Sequence, residues 1–538
     1  MKNKLISMEL ACLLIIWGFI GLMDICNENV SAYTPHNPIY IEGDDDFSDG
    51  DDDGVINPSS AGTEGDPYII AGWEINASTA NGIEIRNTTV YFIIRDCYVH
   101  GSESPYLGIW FFNVTNGRIE DSNILKNWLG IDLNQSSSST IYNNSILNND
   151  YGINISGSRN IIFNNSICFN DFTGLYLSGS NNTISHNNVS NNGDGIYLNL
   201  SSYTKIFKNS FYSNNGSIMS PGYGIILSSS LCNKISYNNI SGNGNHIDIS
   251  GCGIWLISSG NNTIHHNKIR SNDIYGIYLS SSSNNIIFNN NIQDHCGEGM
   301  RLQLSSNNKI FNNDFFENVI ALVIHKGSYN TVSDNWFNWR FHGICLSYSS
   351  YNTIYNNFIF NTVNGIYLSA SHNNTISHNN IFTSIIDGIH LWSSSNNTIS
   401  NNLIQWSDDI GIFLWSNSNT NKIICNNVSN NQECGINISG SINNYIYHND
   451  IIDNAIQAYD DTNNSNQWDN GYPCGGNYWS DFDEPSEGAY DDYQGPYQNV
   501  VGSDGIVDNG TGVGGGKNPY IIDADSKDNY PLLYPLMS

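Results

Sequence analysis

The sequence predicts an all-β fold, a parallel β-helix solenoid of about 16 coils. Two observations predict it. A Gly-Ile-x-Leu tetrad, with apolar variants, starts at Gly82, Gly108, Gly130, Gly152, Gly174 and Gly195 and returns as far as Gly435. Between Gly276 and Gly411 it recurs every 22 or 23 residues, counting Gly299-Met-Arg-Leu302 and Ala321-Leu-Val-Ile324 as variants. So constant a period marks one structural unit stacked many times. The second observation is run length: apolar stretches last three or four residues between polar ones, which is strand spacing and too short for helices.

Each period also carries Asn-x-Ile-x-x-Asn-x-Ile (or Val), as in Asn182 to Val189, Asn262 to Ile269, Asn374 to Ile381 and Asn444 to Ile451. Three short strands per turn fit that length. Side chains alternate along a strand, so the Ile and Leu of each tetrad face inward and the x residue outward. A coil cannot bury its own core, whereas a stack can. A leucine-rich repeat of similar period would need a helix per unit, and these intervals hold Asn, Ser, Gly and Thr, which form helices poorly. The Asn pairs suit tight turns, where their amides tolerate left-handed geometry and can bond from coil to coil.

The chain divides into a leader, two flanking segments and the repeats. Lys2 and Lys4 precede an apolar stretch from Leu10 to Met23, and Val30-Ser31-Ala32 offers small residues for cleavage, which predicts a signal peptide over 1–32 and an exported, secreted or cell-surface product. Residues 33–80, with the acidic runs Asp44-Asp45-Asp46 and Asp51-Asp52-Asp53, are expected to cap one end, because open β edges invite aggregation. The repeats occupy 81–460. Residues 461–538, rich in Gly and Asp, break the period and form a second cap or small module. No stretch after the leader is long enough to span a bilayer.

Charge narrows the partners. Only 19 Lys and Arg against 50 Asp and Glu give a formal charge of −31. Such a surface repels nucleic acid and anionic membranes, and neither is expected as a partner. Sequons such as Asn87, Asn154, Asn188, Asn373 and Asn437 are candidate glycan acceptors in an exported glycoprotein. Nine cysteines follow the leader, with no Cys-x-x-Cys; most are expected as buried apolar residues, with Cys425–Cys434 and Cys434–Cys474 as candidate bridges.

The repeats, together with Asp66-Pro-Tyr-Ile-Ile70, Trp73-Glu-Ile-Asn76, Gly476-Asn-Tyr-Trp-Ser-Asp481, Asp504-Gly-Ile-Val-Asp508, Asn518-Pro-Tyr-Ile-Ile522 and Asp528-Asn-Tyr-Pro531, resemble the right-handed parallel β-helix superfamily of pectate lyases, polygalacturonases and NosD-type proteins. The nearest resemblance is to NosD-like surface proteins of archaeal type. It implies a right-handed coil. It leaves function open, since one fold hosts unrelated activities.

Three constellations compete for function. The outward x position carries Trp110, Tyr176, Tyr197, Trp255, Tyr278, Tyr367, His390 and Phe413. Aromatic rings on a shallow sheet suit sugar rings, and mutual packing is the alternative. Two longer periods, Gly195 to Gly224 and Gly224 to Gly253, add loops near Tyr197, His246, Asp248 and Trp255. Insertions on successive coils lie side by side on a binding face. The expected ligand set is therefore Tyr197, His246, Asp248, Trp255, Tyr278, Tyr367, His390 and Phe413, the expected partner an extracellular polysaccharide, and the expected mode non-catalytic binding. The second constellation, Asp387, Asp408 and Asp409, supplies the catalytic residues of the competing reading, a glycoside hydrolase or lyase. No Arg-Ile-Lys or Gly-His-Gly of polygalacturonases accompanies it. The third is metal. The NosD resemblance raises copper, yet His186, His266, His378 and His448 share a column without occupying neighbouring coils, so copper is not expected. Calcium has candidates in Asp44 to Asp53 and in Asp504 and Asp508. A structural surface spacer and a NosD-like maturation factor remain as further alternatives.

Overall fold

The computed structural model describes residues 33–50, 53–216, 221–245, 251–338 and 341–536. The leader and the residues His246 and Asp248 lie outside them. Two compact units divide the chain, 1–251 and 252–538, and each is a parallel β-solenoid. Together they carry about 17 turns, in line with the coils expected from the tetrads. Among the described residues the only helices are short 3-10 turns, and no helix is long and apolar enough to cross a membrane.

Every coil contributes one strand to each of three sheets. In the second unit, Thr263–His265, Lys268–Arg270 and Tyr275–Ser280 make one coil, and Ile286–Phe288, Asn291–Gln293 and Glu298–Gln303 the next, all paired in parallel. The tetrad strand is the longest and forms what we call the second sheet. Its inward residues, such as Ile277, Leu279, Ile366 and Leu368, are fully buried, which fixes the register: a slip by one residue would turn each layer outward. The tetrad glycine has a separate cause. A Cβ on Gly365 would lie 2.5 Å from the Gly388 carbonyl oxygen and 2.5 Å from Ile381 Cγ2, so only hydrogen fits where successive coils approach.

The Asn pairs build the corner between the other two sheets, from the third (Thr263–His265, Ile286–Phe288) to the first (Lys268–Arg270, Asn291–Gln293). The first member sits at positive φ, as in Asn312 (53°) and Asn356 (54°), a conformation Asn tolerates better than most residues. The second is buried and relays hydrogen bonds from coil to coil. Asn313 Nδ2 donates to the carbonyls of Ile287 (3.0 Å) and Phe311 (3.0 Å) and to Asn335 Oδ1 (3.1 Å), while its own Oδ1 accepts from the Asn290 backbone N–H at 3.0 Å. The relay runs through Asn335, Asn357, Asn379, Asn402, Asn426 and Asn449 to Asn477. A polar group at this depth must be partnered, and here every donor is.

The sheets extend into both flanking segments. In the first unit Thr34–His36 pairs with Trp73–Asn76 and Ile39–Glu42 with Ile83–Arg86, so a coil lies within 33–80. Phe47, buried against Tyr68 and Phe92 at 5.0 and 5.1 Å, plugs the core behind it. In the second unit Tyr478–Trp479 pairs with Asp450–Ile451 as a further rung. Trp468 and Trp479 are buried there, and Tyr520 stacks on Trp479 at 4.0 Å. Asp528, fully buried, accepts from the N–H groups of Asn477 (2.7 Å) and Tyr530 (3.0 Å) and from Trp479 Nε1 (3.1 Å). Burial pushes its carboxyl up to about 7, against those hydrogen bonds.

The candidate disulfides are corrected. Cys425, Cys434 and Cys474 are all free. Cys425 occupies a positive-φ corner before the first sheet, while Cys434 is buried at the start of a tetrad strand, with Sγ 3.3 Å from the Ile436 carbonyl. Different corners of the coil hold the two, and burial raises the Cys434 thiol to about 12.

Candidate functional site

The outward column of the second sheet in the second unit runs Trp255, Tyr278, Arg301, Val323, Cys345, Tyr367, His390, Phe413 in consecutive register. At one end the side chains pair largely with one another. Trp255 and Tyr278 stack face to face at 5.9 Å and 2°, which spends their adjoining faces on each other. Tyr278 donates its hydroxyl to Gln303 (2.8 Å), and Arg301 pairs with Glu298 at 2.7 Å. Burial raises the Glu298 carboxyl while Arg301 opposes the shift.

Five coils on from Tyr278, about 24 Å at sheet spacing, the column changes character. His390 Nδ1 lies 2.7 Å from Asp387 Oδ2, and Asp387 is only 2% exposed. The second oxygen of Asp387, Oδ1, and the second ring nitrogen of His390, Nε2, are buried without a hydrogen-bond partner. Tyr367 flanks the imidazole at 5.2 Å, Phe413 at 4.9 Å edge-on and Trp415 at 6.2 Å. Beside it, Trp392 and Trp415 are 42% and 46% exposed and stack at 6.2 Å. On the other side of Tyr367 stands His342, stacked at 5.2 Å and 11°, with burial pushing its imidazole down to about 4 and His390 adding to the shift. Burial raises the Asp409 carboxyl, helped by the charges of Asp387, Glu433 and Asp408.

The corner that feeds this sheet is also altered. Its buried ladder is Asn on most coils, as at Asn431 and Asn454, which bond at 2.7 Å. Thr362, Ser384 and Ser407 replace Asn on three successive coils, and their hydroxyls, buried, have no partner. A hydroxyl is too short for the carboxamide's reach across coils.

Of the residues singled out from sequence, Asp387, Asp409, Tyr367, His390 and Phe413 are thus brought together, with Asp408 exposed at the rim and bonded to Gln432 at 2.8 Å. Trp255 and Tyr278 form a separate station on the same face. Tyr197 belongs to the first unit, where it packs edge-on against Tyr176 at 5.4 Å. Trp392, Trp415 and His342 were missed. The two tryptophans had a signal: each follows the Leu of its tetrad, in Leu391-Trp392 and Leu414-Trp415, one period apart.

The metal candidates resolve by donor chemistry. Asp504 accepts from the Gly495 N–H (3.1 Å), from Ile506 N–H (3.2 Å) and from Gln498; Asp508, fully buried, accepts from Asp492 (2.7 Å), Tyr493 (2.5 Å) and Gly510 (2.5 Å). These carboxylates organise backbone turns. Among the described residues one group of three or more His, Cys, Asp or Glu brings donor atoms within 4.8 Å of one another: Asp46, Asp49 and Asp53. Hard oxygen donors suit calcium or magnesium. Copper prefers imidazole and sulfur. His186, His266, His378 and His448 each stand at a positive-φ corner, with neighbouring coils carrying other residues there. This column brings no two of its four histidines together, as a copper site built on it would require.

A family described as periplasmic copper-binding protein (NosD) matches residues 59–251 and 324–484, well over half of the chain. The chain belongs to this family. A right handed beta helix region also matches over 217–359, in agreement with the handedness the resemblance implied. No curated protein matches. Among solved structures the chain is similar to the periplasmic alginate epimerase AlgG (13% identity, 78% of this chain, 85% of that one, TM-score 0.34). It is also similar to DFA-IIIase from Arthrobacter chlorophenolicus A6 in complex with GF2 (13%, 52%, 84%, 0.33) and to the Dettilon tailspike protein gp208 (15%, 66%, 62%, 0.29).

Proposed function

We propose that this NosD-family chain is an exported, non-catalytic carbohydrate-binding protein whose ligand lies on the outward second sheet at Tyr367, His390, Trp392, Phe413 and Trp415. The observation that carries the reading is the exposed Trp392–Trp415 pair beside buried polar atoms, Asp387 Oδ1 and His390 Nε2, that have no protein partner. Aromatic faces hold the apolar side of a sugar ring, and the free acceptor and ring nitrogen offer hydrogen bonds to its hydroxyls. Trp255 and Tyr278, stacked on each other, would act as a secondary platform through their outer edges. Binding to a broad panel of glycans, with Trp392→Ala and Trp415→Ala beside wild type, tests this. Wild-type silence across the panel would sink it.

One observation favours a second reading, cleavage of a polysaccharide. Burial and the neighbouring carboxylates raise the Asp409 carboxyl near the Asp387–His390 pair, and two carboxyl groups in unlike environments are what glycoside hydrolysis requires. Product release from a bound glycan, abolished in Asp409→Asn with binding retained, would establish it in place of simple recognition.

A further inference from the structure

The charge around this patch selects among sugars. Between Gly365 and Ser439 the chain carries four carboxylates, Asp387, Asp408, Asp409 and Glu433, and one amine, Lys422. All four carboxylates lie in or just before tetrad strands: Asp387 precedes Gly388, Asp409 precedes Ile410, and Glu433 follows Asp409 in register, its N–H on the Asp409 carbonyl at 3.0 Å. Lys422 lies in the third sheet, paired with Thr398, away from this face. The described arginine of the column, Arg301, is four coils from His390 and already held by Glu298. The imidazoles in contact with the patch are His390, bound to Asp387, and His342.

Burial, and then the charges of Asp387, Glu433 and Asp408, raise the Asp409 carboxyl. A second, independent feature marks the place as a ligand site. Asp387 is only 2% exposed, and its Oδ1 has no partner, on the coil whose tryptophan opens to solvent. A buried carboxylate oxygen without a donor is costly. A donor brought by the ligand would relieve it.

We infer that the preferred ligand is a neutral to cationic glycan, with amino sugars bearing free ammonium groups bound best, and that uronate chains are rejected. This rests on the carbohydrate-binding reading. An ammonium would meet Asp409 and Glu433 while another ring of the same oligosaccharide lies on Trp415, six residues along the strand, and a uronate would bring a fifth negative charge to a face whose described column arginine is already paired. Like charges at this range repel and opposite charges attract by enough to order affinities, in a salt-dependent way.

The test is calorimetric titration of the full chain with three oligosaccharides of equal length: glucosamine, N-acetylglucosamine and galacturonate. Glucosamine is expected to bind about tenfold more tightly than its N-acetylated counterpart, equivalent to about 1.4 kcal/mol, with no detectable uronate binding. Asp409→Asn with Glu433→Gln should reduce that ratio to about twofold, whereas Asp121→Asn, an exposed carboxylate of the first unit, should leave it unchanged and so exclude the effect of overall negative charge. Trp415→Ala should weaken both aminosugar ligands together. Uronate binding equal to that of glucosamine, or a ratio untouched by the double variant, overturns the inference while leaving carbohydrate binding intact. Uronate binding that a chelator abolishes overturns it in favour of a bridging cation. Silence of all three ligands and of the wider panel removes the underlying reading as well.

Discussion

Two corners of the same coils in the second unit behave differently. The corner between the third and first sheets keeps its buried Asn unbroken from Asn290 to Asn477, each amide bonded to the next. The corner before the second sheet gives up its Asn at His295, which still accepts from the Asn272 N–H, and then at Thr362, Ser384 and Ser407, on the coils that carry Tyr367, Asp387, His390 and Phe413, where the hydroxyls have no partner. One corner is fully satisfied and repeats without change. The other leaves buried polar atoms without partners, which scaffolding alone would have no reason to tolerate. The difference separates residues that hold the stack from residues free to vary for recognition.

The comparison can be broken first at the regular corner. Asn313→Ala removes the donor to two carbonyls and the acceptor of the Asn290 N–H, and is expected to cost about 3 kcal/mol, read as a lowered denaturant midpoint. Ser384→Ala, at the lapsed corner, removes a hydroxyl that bonds to nothing and should be nearly neutral, within about 0.5 kcal/mol. A loss at Ser384 as large as at Asn313 would erase the distinction. Gly388→Ala ranks between them. Its Cβ would meet Ile404 Cγ2 at 2.4 Å and the Gly411 carbonyl oxygen at 2.6 Å, a clash expected to cost about 1–3 kcal/mol.

The end of the second unit adds a pH dependence. Asp528 titrates near 7 when folded and near 3.9 when unfolded, so the folded state holds the proton more tightly between those values. Stability of this segment therefore falls as pH rises from about 4 to about 7 and stays lower above. Thermal unfolding of the C-terminal segment should occur at higher temperature at pH 5 than at pH 8. Asp528→Asn should flatten that difference; an unchanged slope would assign it elsewhere.

Much of the fold was legible because it is periodic. The tetrad at Gly276-Ile-Tyr-Leu279 fixed strand, face and layer together, since a two-residue alternation inside a constant period admits one inward set. The Asn pairs were readable as turn chemistry, although the direction of their relay needed coordinates. The ends were harder. Thr34–His36 and Tyr478–Trp479 are rungs of the stack without its tetrad, so their membership depends on pairing rather than local pattern. The site was half legible. Asp387, Asp409, His390 and Phe413 follow from register, because adjacent coils place equivalent positions side by side. Ring orientation does not follow from register: Trp255 and Tyr278 look like an open platform in sequence and cover each other in space. Trp392 and Trp415 share the outward face but stand two residues beyond the x position, outside the repeating tetrad. The paired cysteines failed for a related reason, as closeness in sequence spans different corners of a coil.

The central claim is that scaffold and recognition use separate residues of one repeat. Trp415→Ala tests it most directly, by titration calorimetry against an aminosugar oligosaccharide alongside thermal unfolding. The account predicts at least about tenfold weaker binding, about 1.4 kcal/mol, with stability within about 0.5 kcal/mol of wild type. Unchanged binding, or binding lost only in step with stability, would contradict it.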